Sequence, residues 1–178
     1  LYIDDIAPAK NELFVDFFGS PVAHGLIRVL DLSQAEEIPG VVGLFTFQDI
    51  EGHRIFGPII QDEVLLVEEQ CEFVGQPIVV IAAETRKALK QAKKAIKVEI
   101  EPLTPVFSIN EAIEKTQFIG VPRTIERGDV EKAFQDAEHL LQGTFRNGGQ
   151  DHFYLESQAA IAYPGEHDTL TIHSSTQS

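Results

Sequence analysis

The sequence predicts an α/β fold with a mixed sheet of the α+β kind, and three consecutive segments carry the evidence. Residues 78–83 form a nearly continuous apolar run, as in a strand that is buried on both faces. Residues 85–96 place small and apolar side chains at helical spacing, and residues 97–103 alternate in polarity as a strand does. We therefore expect a central strand, a helix and a second strand that together form a right-handed crossover unit.

The segments before this unit alternate between strand and helix signals. Strand-like runs cover residues 13–18, 26–30 and 41–47, and turn residues bound each of them. Between the second and third runs, Ser33 and Glu36 have the spacing of a helix-capping box, which predicts a short helix. Residues 51–62, which follow the third run, contain two glycines and a proline and are typical of a surface loop.

The segments after the unit indicate a second, incomplete domain. Prolines and a polar stretch over residues 116–127 mark a change of organisation, and we expect the domain boundary there. Asp129 can then cap a helix, followed by a strand over residues 141–146 and a hairpin of residues 159–163 and 169–173. The predicted apolar face of the helix is Val130, Ala133, Phe134, Ala137 and Leu141. A helix with two or three strands buries too little apolar surface to form a core alone.

The composition excludes several classes of function. The 178 residues include 28 acidic and 14 basic side chains, a formal net charge of −14, which disfavours nucleic-acid and anionic-membrane surfaces. The single cysteine cannot form an internal disulfide, and no apolar run approaches the roughly 18–20 residues of a membrane span. We expect a cytoplasmic protein in a reducing compartment. The absence of methionine, even at position 1, predicts that the sequence is a segment of a longer polypeptide.

The segment from Gly148 to Gln158 carries the densest set of chemically useful side chains. It combines two glycines, two amides, a histidine, two carboxylates and two aromatic rings. Gly148 and Gly149 allow a close approach of the backbone or a positive φ, and Gln150 would then lie at the edge of the turn. Because an amide is both a donor and an acceptor, Gln150 is the candidate functional side chain.

Two other candidate sites are weaker. Asp151, His152 and Glu156 would form a thin metal site, because a divalent ion needs three or four ligands that converge from different elements. We favour a structural role for these three residues. Cys71 has no cationic neighbour in the sequence that would activate a thiolate, so we do not expect a nucleophile.

Two further segments each allow two interpretations. Residues 73–77 place Gly75 and Gln76 before Pro77, which suits either a ligand-binding turn or the entry to a buried strand. The predicted helix and the residue after it carry six of the 14 basic residues: Arg86, Lys87, Lys90, Lys93, Lys94 and Lys97. An ordinary solvated face is the favoured interpretation of these cations, and a docking surface for phosphate or an acidic partner is the alternative.

Short landmarks occur in a fixed order along nearly the whole chain. They are Tyr2-Ile3-Asp4-Asp5-Ile6, Ser20-Pro21-Val22-Ala23-His24-Gly25, Ile38-Pro39-Gly40-Val41-Val42, Val74-Gly75-Gln76-Pro77, Arg127-Gly128-Asp129-Val130, the segment Gly148 to Gln158, and Ser174-Ser175-Thr176-Gln177. In this order they resemble the start of the molybdopterin-binding large subunit, or region, of the xanthine dehydrogenase and aldehyde oxidase family. The resemblance implies an α/β hammerhead domain over residues 1–105, a linker over residues 106–127, and the start of the first molybdenum-cofactor-binding domain over residues 128–178.

The resemblance also implies a cofactor-binding role for Gly148, Gly149, Gln150 and Phe153. Gln150 is expected beside molybdenum, within hydrogen-bonding reach of a terminal ligand of the metal. The two glycines shape its turn, and Phe153 lies nearby. The family's catalytic glutamate lies far downstream, so no catalytic residue is expected in this segment, and Glu156 is not its equivalent.

The implied activity is hydroxylation of a purine or other heterocycle, or of an aldehyde, with water as the oxygen source. The implied cofactor is molybdenum-molybdopterin, with 2Fe-2S clusters and FAD in other domains or subunits. The implied partners are the remainder of the large subunit, those redox domains or subunits and a small-molecule substrate, in an oligomer. The competing hypothesis is a free-standing, non-catalytic hammerhead module for interaction or assembly, which would suit the predicted loop and the basic helix face.

Overall fold

The computed structural model describes residues 2–57, 60–151 and 153–176, and the chain forms two compact units. Residues 10–122 make up the larger unit, while residues 1–9 and 123–178 make up the smaller one. Within the described ranges, none of the helices is long and apolar enough to cross a membrane.

The larger unit alternates short strands with helices, as the sequence predicts. Its strands are β1 (Phe14–Gly19), β2 (Gly25–Asp31), β3 (Val41–Phe45), β4 (Ile55–Phe56), β5 (Glu63–Val64), β6 (Gln70–Cys71), β7 (Pro77–Ala83) and β8 (Lys97–Pro102). Its α-helices are α1 (Ser33–Glu36), α2 (Arg86–Ala95) and α3 (Ile109–Glu114). The combination of helices with small sheets confirms the predicted α/β fold class, although the strand pairs of the described residues are all antiparallel and no sheet is mixed.

Strand β7 is the centre of the first three-stranded sheet, which has the order β1-β7-β3. Both neighbours run antiparallel to it, so Val80 lies opposite Phe17 on one side and Phe45 on the other. The central position predicted from the apolar run is therefore confirmed. Ile78, Val79 and Ile81 of this strand are at most 1% exposed.

The predicted crossover between β7 and β8 is wrong. Strand β8 lies in a second sheet with the order β6-β2-β8, where it pairs antiparallel with β2. Strands β1 and β3 already pair with both edges of β7, so β8 cannot lie beside β7. The predicted surface loop also differs in part, because β4 within it pairs with β5.

Helix α2 covers the apolar cluster that surrounds β7. It buries Ala88, Leu89 and Ala92, which pack with Ile81 and other residues of the cluster. The side chain of Thr85 accepts a hydrogen bond from the amide of Ala88, so the helix starts at a satisfied cap. The helix ends within one residue of its predicted limit because Ile96 adopts an extended conformation, with ψ of 130°.

The predicted capping box before α1 is not formed. Ser33 is the first residue of the helix, and its amide and hydroxyl both donate to Oδ1 of Asp31, at 3.0 and 2.6 Å. Asp31 therefore satisfies the amide of Ser33, while the amide of Glu36, which the capping box pairs with the Ser33 hydroxyl, donates to the carbonyl of Leu32 at 3.0 Å.

Two of the sequence landmarks meet in a backbone junction before β7. The amide of Ser20 donates to the carbonyl of Gln76 at 2.9 Å, and the amide of Gly75 donates to the carbonyl of Ser20 at 2.8 Å. A Cβ on Gly19 would lie 2.6 Å from the carbonyl oxygen of Gly75, so the two chains approach too closely for a side chain. Gly75 itself has φ of 88°.

The buried side chain of Gln76 completes this junction. It is 5% exposed, and its Oε1 accepts a hydrogen bond from the amide of Glu72 at 2.7 Å. The structure therefore favours the interpretation of residues 73–77 as the entry to a buried strand, with the amide closing the preceding turn.

His24, from the same landmark as Ser20, fixes the exit of the chain from β8. Its Nδ1 lies 3.0 Å from the carbonyl oxygen of Thr104, and its Nε2 lies 3.1 Å from Nε2 of Gln70. The backbone adds a hydrogen bond from the amide of Leu103 to the carbonyl of His24. A neutral ring with hydrogen on Nδ1 satisfies both side-chain contacts.

An ion pair holds α2 to the edge strand β1. Nζ of Lys93 lies 2.8 Å from Oδ2 of Asp16. Partial burial acts to raise the pKa of the Asp16 carboxyl, but the hydrogen bonds from Lys93 and from the amide of Phe17, together with the Lys93 charge, outweigh it and lower the pKa below its ordinary value.

We expect the Gln76→Ala substitution to lower the free energy of unfolding by about 1 kcal/mol, because it removes the buried acceptor of the hydrogen bond from the Glu72 amide. Denaturant titration of both proteins measures the difference. Gln48→Ala, which removes an exposed amide of the same kind, is the matched control and should change stability by less than about 0.5 kcal/mol. Equal effects of the two substitutions would contradict the role assigned to Gln76.

We expect Asp16→Asn to lower the free energy of unfolding at pH 7 by about 0.2–1 kcal/mol, since the pair is partly exposed. The folded pKa is lowered, so the ion pair stabilises the fold above the unfolded pKa of about 3.9 and this contribution is lost as the pH falls through the folded value. The difference between wild type and variant should therefore shrink on acidification. A difference that stays constant from neutral to acidic pH would contradict this account; Lys93→Met should reproduce the neutral-pH loss.

Candidate cofactor-binding segment

The smaller unit places the Gly148 to Gln158 segment between a short helix and a hairpin. The helix is α4 (Val130–Asp136), and the hairpin consists of β9 (Ala160–Pro164) and β10 (Leu170–Ser174). The predicted cap is confirmed, because Oδ1 of Asp129 accepts a hydrogen bond from the amide of Lys132 at 2.9 Å. The predicted hairpin is confirmed as well, with β9 and β10 antiparallel.

The predicted strand over residues 141–146 is wrong. These residues form no ladder, and Leu141 and Phe145 are 103% and 96% exposed. A strand needs a hydrogen-bonded neighbour, and none of the described residues supplies one here. The helix is also shorter than its apolar pattern indicated, because Ala137 is already extended, with ψ of 126°.

The described part of the smaller unit has no buried side chain. The described residues of this unit therefore form no apolar core of the kind that makes a unit stable by itself. Several large apolar side chains are more than half exposed: Val130, Phe134, Leu140, Leu141, Phe145, Phe153, Tyr154, Leu155, Leu170 and Ile172.

Gly148 and Gly149 lie in open surroundings. A Cβ built on either of them would meet nothing within 4 Å. Neither glycine adopts a positive φ; that conformation falls instead on Phe153, with φ of 49°. Two uses were expected for the glycines, a positive φ and a close approach of another group to the backbone. The structure is compatible with the second use only.

Gln150 is exposed in the same irregular stretch. Within the part of the chain that the structure describes, its amide has no hydrogen-bond partner, so both its donor and its acceptor groups are available. Phe153, three residues later, is 98% exposed. These three features suit a bulky, polar cofactor. The Gln150 amide and the accessible backbone can form hydrogen bonds, and the Phe153 ring can pack.

Asp151 takes part in a local turn. Its Oδ1 accepts a hydrogen bond from the amide of Phe153 at 3.2 Å, which is a local turn closed by an aspartate side chain. His152 lies outside the described residues. Among those that are described, no group of three histidine, cysteine, aspartate or glutamate side chains could hold a metal ion. Cys71, in the larger unit, is fully buried.

Ser175 anchors the end of the segment, a role that the sequence analysis missed. Its hydroxyl donates to the carbonyl of Ser157 at 2.7 Å and accepts from the amide of Ala159 at 3.0 Å. The amide of Ser175 donates to the carbonyl of Ala159. The sequence signal for this role was the position of Ser175 in the last landmark. Only the folded hairpin brings Ser175 next to Ser157.

Two family models match the chain. The first, described as aldehyde oxidase and xanthine dehydrogenase, a/b hammerhead domain, covers residues 1–104. The second, described as molybdopterin cofactor-binding domain, covers residues 111–178 and so includes the segment with Gln150. A xanthine dehydrogenase of Emericella nidulans is 42% identical, and aldehyde oxidase 1 of Oryctolagus cuniculus is 37% identical. Both alignments cover 99% of this chain and 13% of the relative.

A solved structure supports the same assignment. Quinoline 2-oxidoreductase from Pseudomonas putida 86 matches with a TM-score of 0.84 and 26% identity over 99% of this chain and 24% of that protein. The chain thus spans 13%, about an eighth, of the length of the curated relatives that it matches. The first family model alone covers more than half of the 178 residues. The chain therefore belongs to the aldehyde oxidase and xanthine dehydrogenase family.

Proposed function

We propose that this chain is part of a molybdenum hydroxylase that acts on a purine, another aromatic heterocycle or an aldehyde, with water as the source of oxygen. The observation that carries the proposal is the exposed, unpartnered amide of Gln150 within the stretch that matches the molybdopterin cofactor-binding model. The relatives are named for xanthine, for aldehydes and for quinoline, which supports this range of substrates.

The molybdenum-molybdopterin cofactor, when bound, supplies the redox chemistry of the reaction. Gln150 would donate a hydrogen bond from its side-chain amide to an oxygen of the bound cofactor. An amide suits this position because it can polarise an oxygen without adding a competing negative charge. A carboxylate in its place would repel the same oxygen and would accept hydrogen bonds only.

The neighbouring residues prepare this contact. Gly148 and Gly149 keep the backbone accessible, since their open surroundings leave room for the cofactor. The Asp151 turn directs the chain towards Phe153, whose exposed ring packs near the cofactor. Ser175 holds the far end of the segment against β9. No catalytic base is assigned within this chain, and Glu156 is not given that role.

The proposed architecture assigns residues 1–105 to the hammerhead domain, residues 106–127 to a linker and residues 128–178 to the start of the molybdenum-cofactor domain. The remainder of the large subunit covers the exposed apolar side chains of the smaller unit. 2Fe-2S clusters and FAD, held in other domains or subunits, would accept the electrons that the substrate loses. The complete oligomeric enzyme works in the cytoplasm.

We expect near-stoichiometric molybdenum together with organic pterin in the complete natural protein, purified with its associated subunits. Metal analysis and release of the fluorescent pterin measure the two separately. Their absence from a folded, fully assembled protein would overturn the proposal and would favour the non-catalytic hammerhead module.

We expect Gln150→Ala in the complete enzyme to lower kcat by about 10–100-fold while molybdenum and pterin contents stay close to those of the wild type. The reason is that the substitution removes a contact that tunes the metal without removing a metal ligand. Steady-state turnover with a heterocycle or aldehyde substrate, together with metal analysis, measures both effects. Gln142→Ala removes an exposed amide outside the glycine turn and is the matched control. Wild-type turnover of Gln150→Ala would refute the assigned role.

A further inference from the structure

Helix α2 carries an unusual concentration of positive charge for this chain. Residues 85–97 contain six cations and no carboxylate, although acidic residues outnumber basic ones by 28 to 14 in the whole sequence. The helix buries Ala88, Leu89 and Ala92, so the cationic positions occupy its remaining sides.

The outward side of the helix forms an open groove with a uniform charge. The groove is lined by four cations and one amide, namely Arg86, Lys87, Lys90, Gln91 and Lys94. All five residues are exposed. Arg86 and Lys94 are eight positions apart, so the charged stripe is about 12 Å long at a rise of 1.5 Å per residue.

Packing of the helix accounts for two of the cations. Lys93 pairs with Asp16 of β1, and the guanidinium of Arg86 lies 4.8 Å from the centre of the Phe14 ring. Lys87, Lys90 and Lys94 have no carboxylate partner among the described residues, whereas lysines elsewhere do, as Lys115 and Lys132 show.

Helix stability accounts for Lys94, which lies in the last turn near the negative end of the helix dipole, but not for Lys87 and Lys90. Arg86, Lys90 and Lys94 follow one another at i, i+4 spacing, where like charges repel. The helix has no glutamate or aspartate that would offset this repulsion. A solvated helix face needs no such arrangement, because mixed charges at the same positions would stabilise the helix instead.

We infer that this basic face, Arg86, Lys87, Lys90, Gln91 and Lys94, docks an acidic polypeptide segment of a partner protein. An extended segment of about four residues spans the stripe, since a strand rises about 3.3 Å per residue. Alternate carboxylates of such a segment are spaced closely enough to meet lysines one helical turn apart. The inference concerns the larger unit only and is independent of the molybdenum chemistry.

The shape and charge of the face favour this partner over other anions. A small phosphate would need converging donors, but the groove is open, and the Thr85 hydroxyl already satisfies the amide of Ala88 at the start of the helix. A nucleic acid extends well beyond a stripe of about 12 Å, and its binding depends on neutralising more phosphates than the four cations of this face can contact. An acidic segment needs only the few spaced cations that the helix provides.

Fluorescence anisotropy with a labelled oligoglutamate peptide tests the inference on the complete natural protein at low ionic strength. We expect salt-sensitive binding that weakens by about tenfold in the triple variant Lys87→Gln, Lys90→Gln, Lys94→Gln. Circular dichroism should show an intact fold, because glutamine is a good helix former. The matched control is the triple variant Lys10→Gln, Arg28→Gln, Lys115→Gln, which removes the same charge from the same unit and should change affinity less than about twofold.

Three results would overturn the inference. The first is that the wild type does not bind oligoglutamate. The second is an equal loss of affinity in the two triple variants. The third is binding of inorganic phosphate or an oligonucleotide, but not of oligoglutamate, that depends on Lys87, Lys90 and Lys94. An oligoglutamine peptide serves as the uncharged probe. Binding of that peptide with the affinity of oligoglutamate would show that charge is not what the face recognises.

Discussion

Burial of strand β7 on both faces and along both edges is the constraint on which the larger unit depends. Each fully buried isoleucine or valine of this strand stabilises the fold by about 1.5–3 kcal/mol relative to its exposed state. The two antiparallel ladders satisfy the backbone groups that this burial removes from water. Helix α2 closes one side of the cluster, and the Ser20–Gly75–Gln76 junction fixes where the strand begins. Because both edges of β7 are occupied, β8 cannot lie beside β7.

The described part of the smaller unit is organised in the opposite way, by local hydrogen bonds rather than by a buried core. Its helix and hairpin are locally satisfied by Asp129, Asp151 and Ser175, but none of its described side chains is buried. Local hydrogen bonds can set the course of a segment without a core, whereas stability needs apolar surface removed from water. Gln150 thus lies on a segment with a defined path and free polar groups. This arrangement is consistent with a site that is completed by the rest of a longer polypeptide.

The family landmarks divide into those whose polar groups are satisfied within the fold and those whose polar groups are available. Ser20, His24, Gly75 and Gln76 are structural, because their hydrogen bonds join β1, β2, β6 and the exit from β8. Asp129 caps a helix. Gln150 differs from all of these, since it has no such partner among the described residues. The contrast between satisfied and available polar groups separates the two classes where residue type alone does not.

Local patterns in the sequence were sufficient for the elements whose energetics are local. The limits of α2, the burial of residues 78–83, the Asp129 cap and the β9–β10 hairpin all follow from periodicity, caps and turns within a few residues. Pairing between distant segments was decided by the tertiary structure. Examples are the β8–β2 ladder, the unpaired stretch 141–146 and the contacts of Ser175. Each of these depends on which strand edges and carbonyl groups are already occupied. A strand signal specifies an extended backbone that needs a partner, but it does not specify which partner, because that choice depends on every other strand in the fold.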